Sequence, residues 1–305
     1  MKHAIHLRLA IPAIAVGALL VAGWGADSSV WGRDGHLMVG RVAAENLPAA
    51  MPPFFRQATD QLAWLNVEPD RWKDRTERDL DPALNGAYSP GHYINLEAIP
   101  DSALEARDRL AFIRALQAAG IDHEVGYLPY TILELTQRLR SEFRRWRATP
   151  AGPERGWIEQ RIINDAGILG HYVADGSEPL HTTVHFNGWV GDSSLGYATD
   201  HDTHRRVESD YVRARISLED LRPLVATTPR AFEDLRGAIW SYLRESNGTV
   251  EELYRIDRAA PFTEHTTAPA NKLFIVARLV DGADMLRDLW WTAWSTSEPA
   301  ADGAD

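Results

Sequence analysis

An all-α fold in a single compact helical domain is what this sequence predicts, on three observations. Apolar residues recur at helical spacing along most of the chain, no stretch shows the alternation of a half-buried strand, and no internal repeat divides it. With 305 residues and 45% apolar content, the chain is long enough to bury a sizeable core in one large domain.

The elements follow in order. Residues 34–47 open on Asp34 as a cap and carry Val39, Val42, Ala43 and Leu47 on one face. Pro48, Pro52 and Pro53 interrupt, and residues 55–66 form a second helix. Residues 74–91 are polar, hold Pro82, Asn85-Gly86 and Pro90-Gly91, and read as a loop. A helix over 101–119 stops at Gly120. Residues 129–147 start on Pro129, which suits a first-turn position, and space Ile132, Leu135, Leu139, Phe143 and Trp146 as one face. Residues 153–175 form another helix with Trp157, Ile162, Ile168 and Leu169, and residues 186–200, rich in Gly, Ser and Asp, are a loop. Helices over 203–215, 229–246, 248–256 and 268–292 complete a domain spanning 31–295. The small, acidic stretch 296–305 is expected to be a disordered tail.

Acidic side chains (43) outnumber basic ones (32), for a formal charge of −11. Generic attraction to DNA, RNA or anionic membranes is therefore not expected, although each bound Zn²⁺ would add two positive charges locally. The chain has no cysteine, which excludes disulfides and thiolate metal sites and leaves nitrogen and oxygen as ligands for any zinc. Residues 1–30 read as an export signal peptide. Lys2, His3 and Arg8 precede an uncharged apolar run over 9–23. That run is short of the about 20 residues a spanning helix needs, so a signal fits better than an uncleaved membrane anchor. The expected location is outside the cytoplasm, periplasmic or secreted.

The chemistry concentrates in His171-Tyr172-Val173-Ala174-Asp175-Gly176-Ser177-Glu178-Pro179-Leu180-His181. His171 and Asp175, four apart on a helix, share one face a turn apart. Gly176 and Pro179 end that helix and let His181 arrive at a neighbouring site. His204 and Glu208 repeat the i, i+4 pairing on a second helix. Three further segments carry candidate ligands: Trp31 to His36, the Pro69-Asp70 turn, and His92-Tyr93-Ile94-Asn95. Imidazoles and carboxylates in this pattern suit zinc.

These elements, in this order, resemble the zinc-dependent phospholipase C / S1-P1 nuclease superfamily, and the resemblance covers most of the chain after residue 30. It implies a helical domain of the phospholipase C/P1 nuclease type with a trinuclear zinc cleft. One zinc is implied at Asp70, His92, His171 and Asp175. A second is implied at His36, the bridging carboxylate of Asp175, and the α-amino and carbonyl groups of Trp31. The third is implied at His181, His204 and Glu208. Trp31 offers its amine only where a signal is cut directly before it. The implied activity is phosphodiester hydrolysis by metal-bound hydroxide, with Asp70 in the catalytic set. Lys73 stands at the spacing where the nuclease branch has a phosphate-meeting Arg, and reads equally as a solvated lysine. Tyr93 stands where nuclease relatives place a base-stacking aromatic, and reads equally as a packing residue.

The expected substrate is a phosphodiester, single-stranded nucleic acid as for S1/P1-type nucleases or, alternatively, a phospholipid headgroup. A non-catalytic exported zinc-binding protein is the rival of a different class, and no stable protein partner is predicted. The step from His181 to His204 is similar to that in the nuclease branch, Glu208 as last ligand to the phospholipase branch, and the interval between Asp70 and His92 is longer than in either. Gly191-Asp192-Ser193-Ser194-Leu195 lacks the Gly-x-Ser-x-Gly elbow of a serine esterase. His185 and His201 lie near the proposed ligands in sequence, His123 and His265 have no evident partner, and Trp290, Trp291 and Trp294 read as core. Asn247-Gly248-Thr249 is a glycosylation sequon, meaningful only in a eukaryotic secretory pathway.

Overall fold

The computed structural model describes residues 31–298 except 122–124 and 193. The signal predicted over 1–30, His123, Ser193 and residues 299–305 of the predicted tail lie outside the described residues. Among those described, every regular element is helical, and the extended pairings are two isolated bridges, Ile94 with Gly126 and Phe186 with Gly188.

Helix α1 (Gly32–Glu45) buries Val39, Val42 and Ala43 of the predicted face, but it starts before Asp34, with Trp31 and not Asp34 at its N-cap, and ends before Leu47. Asn46 ends it by donating its side-chain amide to the Val42 carbonyl at 2.8 Å. The single helix predicted over 55–66 is two, α2 (Pro53–Arg56) and α3 (Thr59–Leu65), although neither Gln57 nor Ala58 between them is a breaker. The loop predicted over 74–91 is also corrected. After α4 (Glu68–Arg71) come α5 (Arg75–Leu80) and α6 (Pro82–Tyr88). Asp74 caps α5 by accepting from the Glu77 amide at 3.0 Å, and Asp81 caps α6 by accepting from Ala83 at 3.1 Å. Pro82 is the first helical residue, where its missing N–H costs nothing, and not a breaker.

The helix predicted over 101–119 is split into α7 (Asp101–Leu104) and α8 (Arg109–Ala118), because Asp108 caps the second piece by accepting from Ala111 at 2.8 Å. Gly120 ends it with a left-handed φ of 73°. Helices α9 (Leu128–Ala148) and α10 (Pro153–Ser177) match their predicted spans closely. Ile162 and Leu169 of α10 are fully buried, but Trp157, predicted on the same face, is 68% exposed. Its neighbour Ile158 is buried instead, in line with Ile162 and Leu169, which leaves Trp157 off the buried face. The described residues of 186–200 hold no helix, as predicted.

Helix α11 (Thr203–Arg205) runs through a π-helical stretch, Arg206–Tyr211, into α12 (Val212–Arg215), and α13 (Leu218–Leu221) follows. The helix predicted from 229 starts later, as α14 (Leu235–Asn247). The segment before it is a strap, with the Arg230 amide bonded to Asp288 and the Phe232 amide to Thr292, each at 3.0 Å. Helices α15 (Val250–Ala259) and α16 (Pro269–Ser295) complete the domain. Trp290 of α16 is fully buried, edge-on to Phe55 at 5.5 Å, and donates to the Ala166 carbonyl at 3.1 Å. The chain stays packed past α16: Ser297, in the predicted tail, is buried and accepts from Arg147 at 2.9 Å.

What places the site is the approach of α1 and α10 around Asn66, which follows α3. A Cβ at Gly170 would stand 2.2 Å from the Asn66 side-chain nitrogen, and one at Gly40 would stand 2.7 Å from it. These glycines leave room for a buried polar residue between two helices. We predict that Gly170→Ala lowers the unfolding free energy in urea by about 1–3 kcal/mol through overpacking. That loss outweighs the helix-propensity gain of about 1 kcal/mol for replacing Gly. Unchanged or raised stability would show that Asn66 is not wedged there.

Candidate metal centre

Six segments converge on one interior region. Helix α1 brings His36, α4 brings Asp70, and the 3₁₀ turn Ser89–Gly91 leads into His92. The last two turns of α10 bring His171 and Asp175. The 3₁₀ turn Pro179–Thr182 brings His181, and α11 with its π-helical continuation brings His204 and Glu208. All of these side chains are buried except the partly exposed Asp70 and His204. A π stretch at Glu208 fits the tendency of such irregularities to occur at functional sites.

Backbone bonds lock the arrangement. The Ile94 amide donates to the His181 carbonyl at 2.8 Å, and the His181 Nδ1–H donates to the His92 carbonyl at 2.7 Å. This reciprocal pair stitches two loops distant in sequence. His171 Nδ1–H donates to the Asn66 carbonyl at 2.8 Å, and His36 Nδ1 meets Asn66 Oδ1 at 3.3 Å. With Nδ1 engaged in each of these three rings, Nε2 is left to face the others, the arrangement of a histidine oriented for metal.

Three groups of His, Asp and Glu have ligand atoms mutually within 4.8 Å and are able to hold a metal ion: His36, His171 and Asp175; Asp70, His92 and His171; and Glu178, His181 and His204. Asp175 faces two of these groups. Its Oδ1 lies 3.4 Å from His36 Nε2, while its Oδ2 lies 3.0 Å from His92 Nδ1 and 3.5 Å from His171 Nε2. Asp70 Oδ1 is 3.7 Å from His171 Nε2. In the third group, His204 Nε2 is 3.0 Å from both His181 Nε2 and Glu208 Oε2. Tetrahedral zinc with bonds of about 2.0–2.2 Å sets neighbouring ligand atoms about 3.3–3.6 Å apart. The contacts straddle that edge length.

Nine atoms here form no aligned hydrogen bond: His36 Nε2, His92 Nε2, both oxygens of Asp70, Glu178 and Glu208, and Asp175 Oδ1. Buried polar atoms are nearly always paired, so such a concentration calls for a partner that binds several at once. The nitrogen and oxygen donor set fits zinc.

The electrostatics agree. Burial pushes the His36, His92 and His171 imidazoles well below the usual histidine value, helped by neighbouring imidazole for His36 and by Lys73 for the other two. They are neutral donors. Burial pushes the Asp175 carboxyl well above its usual range and raises Asp70. Burial also pushes Glu178 up to about 8. Burial opposes charge on His204 and Glu208 too, but their mutual attraction wins, raising the imidazole and lowering the carboxyl.

Lys73 points at this region, with Nζ 3.4 Å from Asp70 Oδ1 and a largely buried side chain. Trp31 is fully buried, its indole donating to Ser177 at 3.1 Å. Its backbone stands one turn before His36, and the next residue, Gly32, packs so tightly on Glu208 that a Cβ would come 3.1 Å from the Glu208 carbonyl. Tyr93 is half-buried beside the Gly126 backbone. His185 stacks on Trp189 at 4.0 Å. His201 is exposed, and Asn247 spends its side-chain amide on Glu97 and Thr182.

Two residues central to the geometry are not among those the sequence singled out. Asn66 sits in no motif. Glu178 lies inside the His171 to His181 segment, and a carboxylate three residues before His181 was the available signal. No family model matches this chain, and no curated protein matches it.

A pH dependence follows for the metal-free protein. A carboxyl with a raised folded pKa keeps its proton in the fold while the unfolded chain has lost it, so its stability contribution fades as pH rises. Glu178 does this between about 4.5 and 8, and His204, also raised, adds in the same direction above 6.5. The lowered histidines act the other way until the unfolded chain has lost its imidazole protons, about one pH unit above 6.5. Chelator-treated protein should therefore lose stability from about pH 7.5 to 8.5, with a slope of order 1.4 kcal/mol per pH unit for one proton. Urea melts at the two pH values check this, and rising stability would contradict it.

Proposed function

We propose that this protein is an exported zinc-dependent phosphodiester hydrolase of the phospholipase C/S1-P1 nuclease type, acting on single-stranded nucleic acid. The observation that carries the reading is Asp175, whose two carboxylate oxygens face two different ligand groups, with a third group beside them and Lys73 next to Asp70. Export rests on residues 1–30 alone.

Bound zinc would supply Lewis-acid charge and lower the pKa of its water to about 7. The chain's own groups then do the following. His36, His92, His171 and His181 present neutral nitrogens, so no proton must leave them before metal binds near neutral pH. Asp175 couples two positions through one carboxylate. Asp70 serves as a ligand and anchors Lys73, whose ammonium meets the phosphate as a point charge, without the bidentate fork of an arginine. Tyr93, next to His92, is the residue proposed to stack on a base, a contact worth about 1–3 kcal/mol.

A second reading, phospholipase C, is favoured by one observation. Between Lys73 and His92, the helix pair α5–α6 exposes Leu80 and Leu84, with Tyr88 half-exposed and its ring tilted against Trp72, centroids 5.9 Å apart. Such an apolar rim suits a lipid surface as well as a nucleobase.

The test is hydrolysis of single-stranded DNA or RNA against release of phosphorylated headgroup from phosphatidylcholine vesicles, each with and without chelator. The expected result is nucleic-acid cleavage that chelator abolishes and zinc restores. Turnover of vesicles alone would move the protein to the second reading, and turnover of neither would end the hydrolase proposal in favour of a non-catalytic zinc-binding protein. In the same assay Asp175→Asn should cut activity by more than about 100-fold, since even losing an outer partner of a metal ligand costs about 10- to 100-fold. Zinc content should fall by two ions per chain. Unchanged zinc content would show that Asp175 bridges nothing.

A further inference from the structure

We infer that Glu178 is a fourth protein ligand of the third metal position, completing a set with His181, His204 and Glu208. The inference rests on the metal-binding part of the reading above and goes beyond the three ligands the sequence resemblance assigns there.

Glu178 is fully buried, yet neither carboxylate oxygen makes an aligned hydrogen bond. Its Oε2 lies 3.9 Å from His204 Nε2, the same nitrogen that Glu208 approaches at 3.0 Å. The ligand atoms of Glu178, His181 and His204 are all within 4.8 Å of one another. The backbone also fixes its place. Glu178 leaves α10 in an extended conformation, its amide held by the Asp175 carbonyl at 3.1 Å and its own carbonyl accepting from His181 at 3.0 Å. The side chain is thus held between the helix carrying His171 and Asp175 and the turn carrying His181.

No lysine or arginine pairs with it among the described residues. The groups acting on it are His204, Glu208 and the amides of Leu180 and His181. Two buried carboxylates converging on one imidazole, with no permanent cation, are poorly matched to each other and well matched to a divalent ion. Two glutamates and two neutral histidines would cancel the ion's two charges. They would also fill four positions, the number found in closed zinc sites, whereas three protein ligands leave one open.

The test is competitive zinc titration of the full chain against a chromophoric chelator, for wild type and Glu178→Gln. The expected result is a loss of at least about 10-fold in the affinity of one zinc, with the other sites unchanged. Equal affinities in a wild type that binds zinc overturn this inference alone; a wild type that binds no zinc overturns the metal reading with it. Should Glu178→Gln fail to fold, anomalous diffraction from zinc-loaded wild-type crystals decides. A Glu178 oxygen within about 2.2 Å of an ion is expected, and a carboxylate more than about 3 Å from every ion refutes the assignment.

Discussion

Four carboxylates, Asp70, Asp175, Glu178 and Glu208, are folded together with five imidazoles in a region almost closed to water. That is the constraint on which the rest of the structure depends. Burying one unpaired carboxylate costs several kcal/mol even after relaxation, and only Lys73 among the described lysines and arginines stands within ion-pair distance of any of the four. A helical core does not accumulate such a group by packing alone. The cost is offset if multivalent cations sit among these atoms, which form few bonds with one another and face common points.

The scaffold serves that arrangement in physical detail. Gly40 and Gly170 thin two helices where Asn66 must pass, and Asn66 then fixes two imidazoles, one through its side chain and one through its carbonyl. The loops carrying His92 and His181 each bond the other's backbone, so neither drifts independently. His171 and Asp175 stand on the most buried part of α10, where rotamer freedom is least. The orientation of His36, His171 and His181 is set by a bond at Nδ1, on the far side of each ring.

Much of this was legible in the sequence, and what was not has identifiable causes. The i, i+4 pairs His171/Asp175 and His204/Glu208 follow from helix geometry, and the long helices α9, α10 and α16 from sustained apolar spacing. The short helices were hidden. In α6, Pro82 reads as a breaker unless Asp81 before it is seen as a cap; between α2 and α3 no breaker marks the bend, which tertiary packing imposes. Trp157 shows the converse, an apolar residue that falls just off the buried face, which runs through its neighbour Ile158. Asn66 was invisible because its role exists only where α1 and α10 meet. Glu178 was in view, but ligand spacing directed attention to its neighbours.

The most direct measurement on the central claim is zinc uptake by the chelator-stripped full chain, followed by calorimetry at two pH values with buffers of different ionisation enthalpy. The account predicts tight binding approaching three ions per chain, with proton release from the raised carboxyls as the ions enter. A folded, stripped protein that takes up no zinc would contradict it, for Asp175, Glu178 and Glu208 would then have no metal, lysine or arginine to hold them.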